Sequence, residues 1–162
     1  MKTAPQPGEL VIRRARPADA AAITAMTIRA KRSNGYDEAF MAACSDELTV
    51  HPADIDAHEY WVAETDGVCG AISLHADADG REGEIHSFFI DPEWQRQGLG
   101  RRLWAKIQER AWARGLMRLH LDSDPVAVPF YEAIGFQVTG ETPSGSIPGR
   151  TIPHMTMALN GA

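Results

Sequence analysis

The sequence predicts one mixed α/β domain. Its 162 residues match the size of a single domain, and 44% are hydrophobic, enough to bury one full core. Segments of strand-like alternation are interleaved with segments of helical periodicity, in the order β-α-α-β-β-β-α-β-α-β-β. No internal repeat or low-complexity tract interrupts them. The expected organisation is a mobile tail at residues 1–9, which hold two prolines and a glycine, followed by one domain at 10–160.

Each element has a local reason. "LVIRRAR" (10–16) reads as a first strand, and 16–33 as a helix with Ile23, Met26 and Thr27 on one face. A second helix is expected over 36–44, then a loop or short turn at "HPADIDAH" (51–58). "YWVAET" and "VCGAISLHA" form a hairpin through Asp66-Gly67. A turn at 77–80 leads to the strand "EGEIHSFFI" (82–90). Leu99, Leu103, Ile107 and Ala111 mark a helix over 99–114, with Gly115 at its C-terminal end. "LMRLHLD" (116–122) alternates as a strand. Asp124-Pro125 then supplies an N-cap and a first-turn proline for a helix that puts Ala127, Phe130, Tyr131 and Ile134 on one face. "FQVTGE" and "IPHMTMAL" close the chain as strands around the loop "TPSGSIPGR" (142–150).

Composition excludes several functions. A formal charge of −6 gives no basic field for nucleic acid. Two cysteines, Cys44 and Cys69, make no disulfide framework and read as reduced thiols. The N-terminus lacks the apolar core of a signal peptide, and no apolar run reaches membrane-spanning length. A soluble, cytoplasmic protein without a membrane partner is expected.

The chemistry gathers at "FFIDPEWQRQGLGRRLWAKI" (88–107). A helix N-terminus leaves about four N–H groups unpaired and carries roughly half a positive charge. Gly98 and Gly100 remove side chains that would hold a ligand off the backbone, and Arg96, Arg101 and Arg102 add positive charge. Together they suit a phosphate or diphosphate. A Walker A loop is excluded, because Arg101-Arg102 follows Gly100 where Lys-Ser/Thr is required. A dinucleotide fingerprint is excluded by Leu103 and by its place late in the chain.

"DPEWQRQGLGRRL" resembles the acetyl-CoA-binding motif of the GCN5-related N-acetyltransferases (GNAT), Gln/Arg-x-x-Gly-x-Gly/Ala, with Gln95, Gly98 and Gly100 at the defining positions. "DPVAVPFYEAIGF" resembles the family's downstream motif, with Tyr131, Gly135 and Phe136 in place. An asparagine is common seven residues before that tyrosine, and this chain has Asp124. The resemblance implies a mostly antiparallel, twisted sheet of about seven strands, splayed at the cofactor cleft and flanked by about four helices. Acetyl-CoA would be co-substrate, with no metal. Main-chain groups of Gln95, Arg96, Gln97, Gly98, Leu99, Gly100 and Arg101 would hold the diphosphate. Those of Phe88, Phe89 and Ile90 would pair with pantetheine, and Asp124 and Tyr131 would complete the cofactor contacts. The partner would be a small-molecule or peptide amine, and family members often dimerise, which leaves a homodimer open.

Acylating an amine requires it neutral. With a pKa of about 10.4, an alkylamine costs roughly 4–5 kcal/mol to deprotonate at neutral pH, so a general base helps. The resemblance gives Tyr131 as the acid that protonates the leaving thiolate; packing beside Phe130 and Ile134 is its alternative role. Strand alternation places Glu84, His86 and Phe88 on one face of 82–90. Glu84 matches the base of the histone-acetylating members, and His86 competes through its near-neutral pKa. His75 and His120 read as ordinary strand residues. His51 and His58 lack a second ligand pair at regular spacing, so no metal site is expected there. Trp104 and Trp112 are expected to pack, as is Trp94, which could also cover the cofactor. The first two helices and the 142–150 loop would line the acceptor site, and Arg150 in that loop meets either an acidic substrate group or, as an ordinary surface pair, a carboxylate. The expected function is direct acetyl transfer from acetyl-CoA to a primary amine in a ternary complex. The rivals are a non-catalytic acyl-CoA sensor and an enzyme using a longer acyl-CoA.

Overall fold

A computed structural model describes residues 8–159; positions 1–7 of the expected mobile tail, and 160–162, lie outside the described residues. Seven strands build one sheet: β1 (Val11–Arg14), β2 (Glu59–Glu64), β3 (Val68–Ala76), β4 (Glu82–Ile90), β5 (Arg118–Asp122), β6 (Gln137–Pro143) and β7 (Thr151–Ala158). Their spatial order is β1-β2-β3-β4-β5-β7-β6. All neighbours are antiparallel except β4 and β5. The helices are α1 (Ala20–Arg32), α2 (Glu38–Leu48), α3 (Pro52–Ala57), α4 (Leu99–Ala113) and α5 (Val128–Ala133).

The expected fold class is observed, with α3 in place of the loop or turn expected at 51–58. Pro52 opens it, and Asp54 accepts the His51 N–H at 2.9 Å. Only Ile55 of α3 is buried, so no apolar stripe announces the helix. α2 starts later than expected because the Asp37 carboxylate caps it, accepting the Phe40 N–H at 2.8 Å. Among the described residues, no helix is long and apolar enough to cross a membrane.

The core lies on both faces of the sheet. Leu99, Leu103, Ile107 and Ala111 of α4 pack against Ile72, Leu74, Leu119 and Leu121 on one face. Ile23 and Met26 of α1 pack against Tyr60, Val62 and Ala71 on the other. Burying each large side chain contributes about 2 kcal/mol. Trp104 is buried edge-on against Phe136 at 5.5 Å. Trp112 does not pack as expected and is 40% exposed. Eight residues along a helix turn the side chain by about 80°, off the buried face. The side chain of Glu59 is 0% exposed and ties β2 to the end of α4, accepting from Nε of Arg110 and of Arg114, each at 2.5 Å. Burial alone would raise this carboxyl, but the two arginines hold it below its ordinary range.

Two irregularities shape the cleft. β4 pairs with β5 only through Glu82, Gly83 and Glu84, so among the described residues its 85–90 stretch has no strand on that side. Opposite β3, Ser73 pairs with Ser87 and Leu74 with Ile85, leaving His86 as an extra residue in a bulge. The bulge reverses side-chain alternation. Phe88 joins the α4 core beside Tyr131, whereas Phe89 packs towards α1 and α2. The expectation that Phe88 shares a face with Glu84 and His86 is therefore corrected.

Candidate active site

The splayed edge of β4 runs directly into the N-terminus of α4. Asp91 caps the 3-10 turn Pro92–Trp94, accepting the Glu93 N–H at 3.1 Å, and takes Arg29 of α1 at 2.7 Å. A tight turn over 95–98 follows, with Arg96 at φ 63° and Gly98, the N-cap of α4, at φ 81°. A side chain at Gly98 would meet none of the described residues within 4 Å, so its need is the left-handed backbone and an open approach. At Gly100 a Cβ would lie 3.3 Å from the Phe130 ring. That glycine therefore also admits α5, beyond the ligand clearance expected of it. At the start of α4 the N–H groups of Gly98, Leu99, Gly100 and Arg101 have no acceptor inside the helix. A row of unsatisfied donors at the positive end of a fifteen-residue helix suits an anionic diphosphate.

One cavity of about 750 Å³ joins this turn to the open edge of β4 and to the ends of α1, α2 and β5. His86, Phe88, Phe89, Ile90, Gln95, Arg96, Gly98, Gly100, Arg101, Asp124 and Tyr131 all line it. Gln97 turns its side chain to the Glu93 carbonyl at 3.0 Å, and Leu99 is buried in the core, so both offer only main chain. Trp94 lines the cavity while packing on the α4 core. Tyr131 sits in α5 against Phe88, Phe130 and Phe136. Burial first, then the charge of Asp124, push its phenol well above the ordinary tyrosine value.

Glu84 does not line the cavity but reaches His86 Nδ1 with Oε1 at 2.6 Å. The His86 hydrogen bond holds Glu84 below its ordinary value, and the same bond raises His86. His86 stacks on His75 at 4.3 Å, and His75 stacks on His58 at 3.6 Å. Burial, then His86 and His58, pull His75 down to about 4. His120 faces Glu84 across the β4–β5 ladder and adds a smaller downward pull on it, while its Nε2 lies 3.3 Å from Asp77.

The Acetyltransferase (GNAT) domain model matches residues 20–159. The chain belongs to the GNAT acetyltransferase family. It is similar to the glucosamine 6-phosphate N-acetyltransferase of Trypanosoma brucei brucei, 34% identical over 34% of this chain and 37% of that protein. It is also similar to the ribosomal protein bS18-alanine N-acetyltransferase of Escherichia coli K12, 36% identical over 34% of this chain and 39% of that one. The chain thus spans well under half the length of these curated relatives. The crystal structure of PaiA N-acetyltransferase from Thermoplasma acidophilum, in complex with coenzyme A, superposes with a TM-score of 0.76. That likeness carries 17% identity and covers 93% of this chain and 99% of that one, and it shows the fold.

In this GNAT chain the departure at Asp124 has a structural account. Its carboxylate caps the turn before α5 through the Val126 N–H at 3.0 Å. The other oxygen takes Lys31 Nζ and the Tyr36 hydroxyl, both at 2.7 Å. Burial would raise this carboxyl, but Lys31 and its other donors bring it below the ordinary range. Arg150, named from its loop, donates to the Tyr36 oxygen at 3.1 Å and lies over Phe40. Lys31, Tyr36, Glu47 and Asp122 went unnoticed in the sequence. The only available signal was that α1, α2 and the 142–150 loop would converge at the acceptor mouth. Glu47 of α2 ties down that loop by accepting the Ser146 hydroxyl at 2.5 Å.

Proposed function

We propose that this chain transfers an acetyl group from acetyl-CoA directly to a primary amine in a ternary complex. The observation that carries the reading is one continuous cavity. It joins the turn that opens α4, the open edge of β4, Tyr131 and His86, which Glu84 backs from outside the cavity at 2.6 Å. The residues fit the co-substrate: nothing fills the approach to Gly98, and the 85–90 edge offers main-chain donors and acceptors to the pantetheine amides.

Acetyl-CoA supplies the acetyl group as a thioester. Residues 95–101 bind the diphosphate, and Phe88, Phe89 and Ile90 orient the pantetheine arm. His86, backed by Glu84, accepts the proton that leaves the amine nitrogen as the new C–N bond forms. Main-chain N–H groups of the β4 edge stabilise the developing oxyanion. Tyr131, kept protonated by burial, donates its proton as the C–S bond breaks, so the thiol leaves neutral. Glu47, Asp54 and Asp122 face the acceptor end, where their carboxylates favour an acceptor carrying positive charge. Thiol release from acetyl-CoA across a panel of mono-, di- and polyamines tests the reading. Turnover with at least one amine supports it. Tight acetyl-CoA binding with no thiol release over the whole panel overturns it.

A further inference from the structure

We propose that His75, Glu84 and His86 form a binding site for a divalent transition-metal cation of the zinc class, and that metal bound there blocks acetyl transfer. One donor atom of each residue lies within 4.8 Å of the other two. Two imidazoles and one carboxylate are a zinc-type donor set that leaves a fourth position for water, and imidazole ligands disfavour magnesium and calcium.

The backbone already aligns the three side chains. Glu84 faces His75 across the β3–β4 ladder, and His86 follows on β4 at the bulge. Donors on a tetrahedral zinc stand about 3.4 Å apart for bonds of about 2.1 Å, and an imidazole binds in its own plane, so closing the set turns the His86 ring out of its stack on His75. His75 is held by the His58 ring at 3.6 Å on one side and the His86 ring at 4.3 Å on the other. Among the described residues its Nε2 is buried with no hydrogen-bond partner, a cost that a bound cation or its water would remove. His86 Nδ1 and Glu84 Oε1 lie 2.6 Å apart, the length of a hydrogen bond that one proton makes. A metal ion takes the place of that proton, which passes to solvent, and the lone pairs of His86 and Glu84 become metal bonds. The block on catalysis rests on the proposed role of Glu84 and His86 as base; the binding itself does not.

Cys44 lines the same cavity and is the competing soft ligand. The test uses the full untagged chain, stripped of metal. Cobalt(II) absorption reports ligand type, and zinc calorimetry is run on the wild type, His75→Phe and Cys44→Ser. Phenylalanine keeps a ring between His58 and His86 while removing both nitrogens. The expected result is one tightly held zinc in the wild type, binding about tenfold or more weaker in His75→Phe, and no change in Cys44→Ser. The cobalt spectrum shows nitrogen and oxygen ligands with no thiolate charge-transfer band. Zinc inhibits wild-type thiol release and a chelator restores it. Equal zinc affinity in wild type and His75→Phe, or a thiolate band, overturns the site. Zinc binding in a metal-free protein that acetylates no amine supports the site and sinks the proposed function.

Discussion

The His86 Nδ1 atom lies 2.6 Å from Glu84 Oε1, and each group draws the other towards its charged form. His86 must be neutral to accept a proton, and its hydrogen bond to Glu84 raises it above its ordinary 6.5. Activity therefore rises with pH through a value above 6.5 and is lost below it. Glu84→Gln removes the raising partner, so the same limb moves to lower pH while the plateau falls. Profiles of kcat/KM against pH in chelator-treated buffer check both. A limb that stays in place in Glu84→Gln counts against the pair.

Tyr131→Phe removes the proton donor and keeps the ring that packs against Phe88 and Phe136. We expect kcat to fall about 100-fold, with coenzyme A affinity within about threefold of wild type. Steady-state kinetics beside calorimetry separate the two effects. Unchanged kcat would make Tyr131 a packing residue.

Asp124→Asn breaks an ion pair whose side chains are each 13% exposed. Lys31 then keeps a poorly solvated charge, and stability falls by about 1–3 kcal/mol in denaturant titration. The folded pKa of Asp124 is below its ordinary 3.8, so its contribution is present above that value and lost as pH falls through the lower one. The loss in Asp124→Asn should accordingly shrink in strong acid.

Gly98→Ala places a side chain at φ 81° with no steric neighbour within 4 Å. The cost is backbone strain of about 1–2 kcal/mol, felt where the donors must point at the diphosphate. We expect coenzyme A affinity to fall about tenfold, read by calorimetry. Gly67→Ala, at an open hairpin position, should leave it unchanged.

The elements of this fold were legible where periodicity was strong. Ile23, Met26 and Thr27 are buried on α1, and Leu99, Leu103, Ile107 and Ala111 on α4, as their spacing predicts. The glycine turn into α4 was legible because helix N-termini have a fixed chemistry. Tertiary pairings were not. The bulge at His86 depends on the register with β3, and it moves Phe88 to the opposite face without a trace in β4's own sequence. Asp124 meets Lys31 across 93 residues, which no local pattern encodes. α3 was missed because it buries a single side chain. Glu47 and Ser146 likewise meet only after the sheet closes.

The account turns on main-chain amides binding the coenzyme at the start of α4. Amide ¹⁵N–¹H spectra, recorded as coenzyme A is added, read those groups directly. The account predicts that the largest downfield proton shifts fall on Gln97, Gly98, Leu99, Gly100 and Arg101, with a second set on Phe88, Phe89 and Ile90. Saturation with the strongest shifts elsewhere, or no shifts at millimolar coenzyme A, would contradict it.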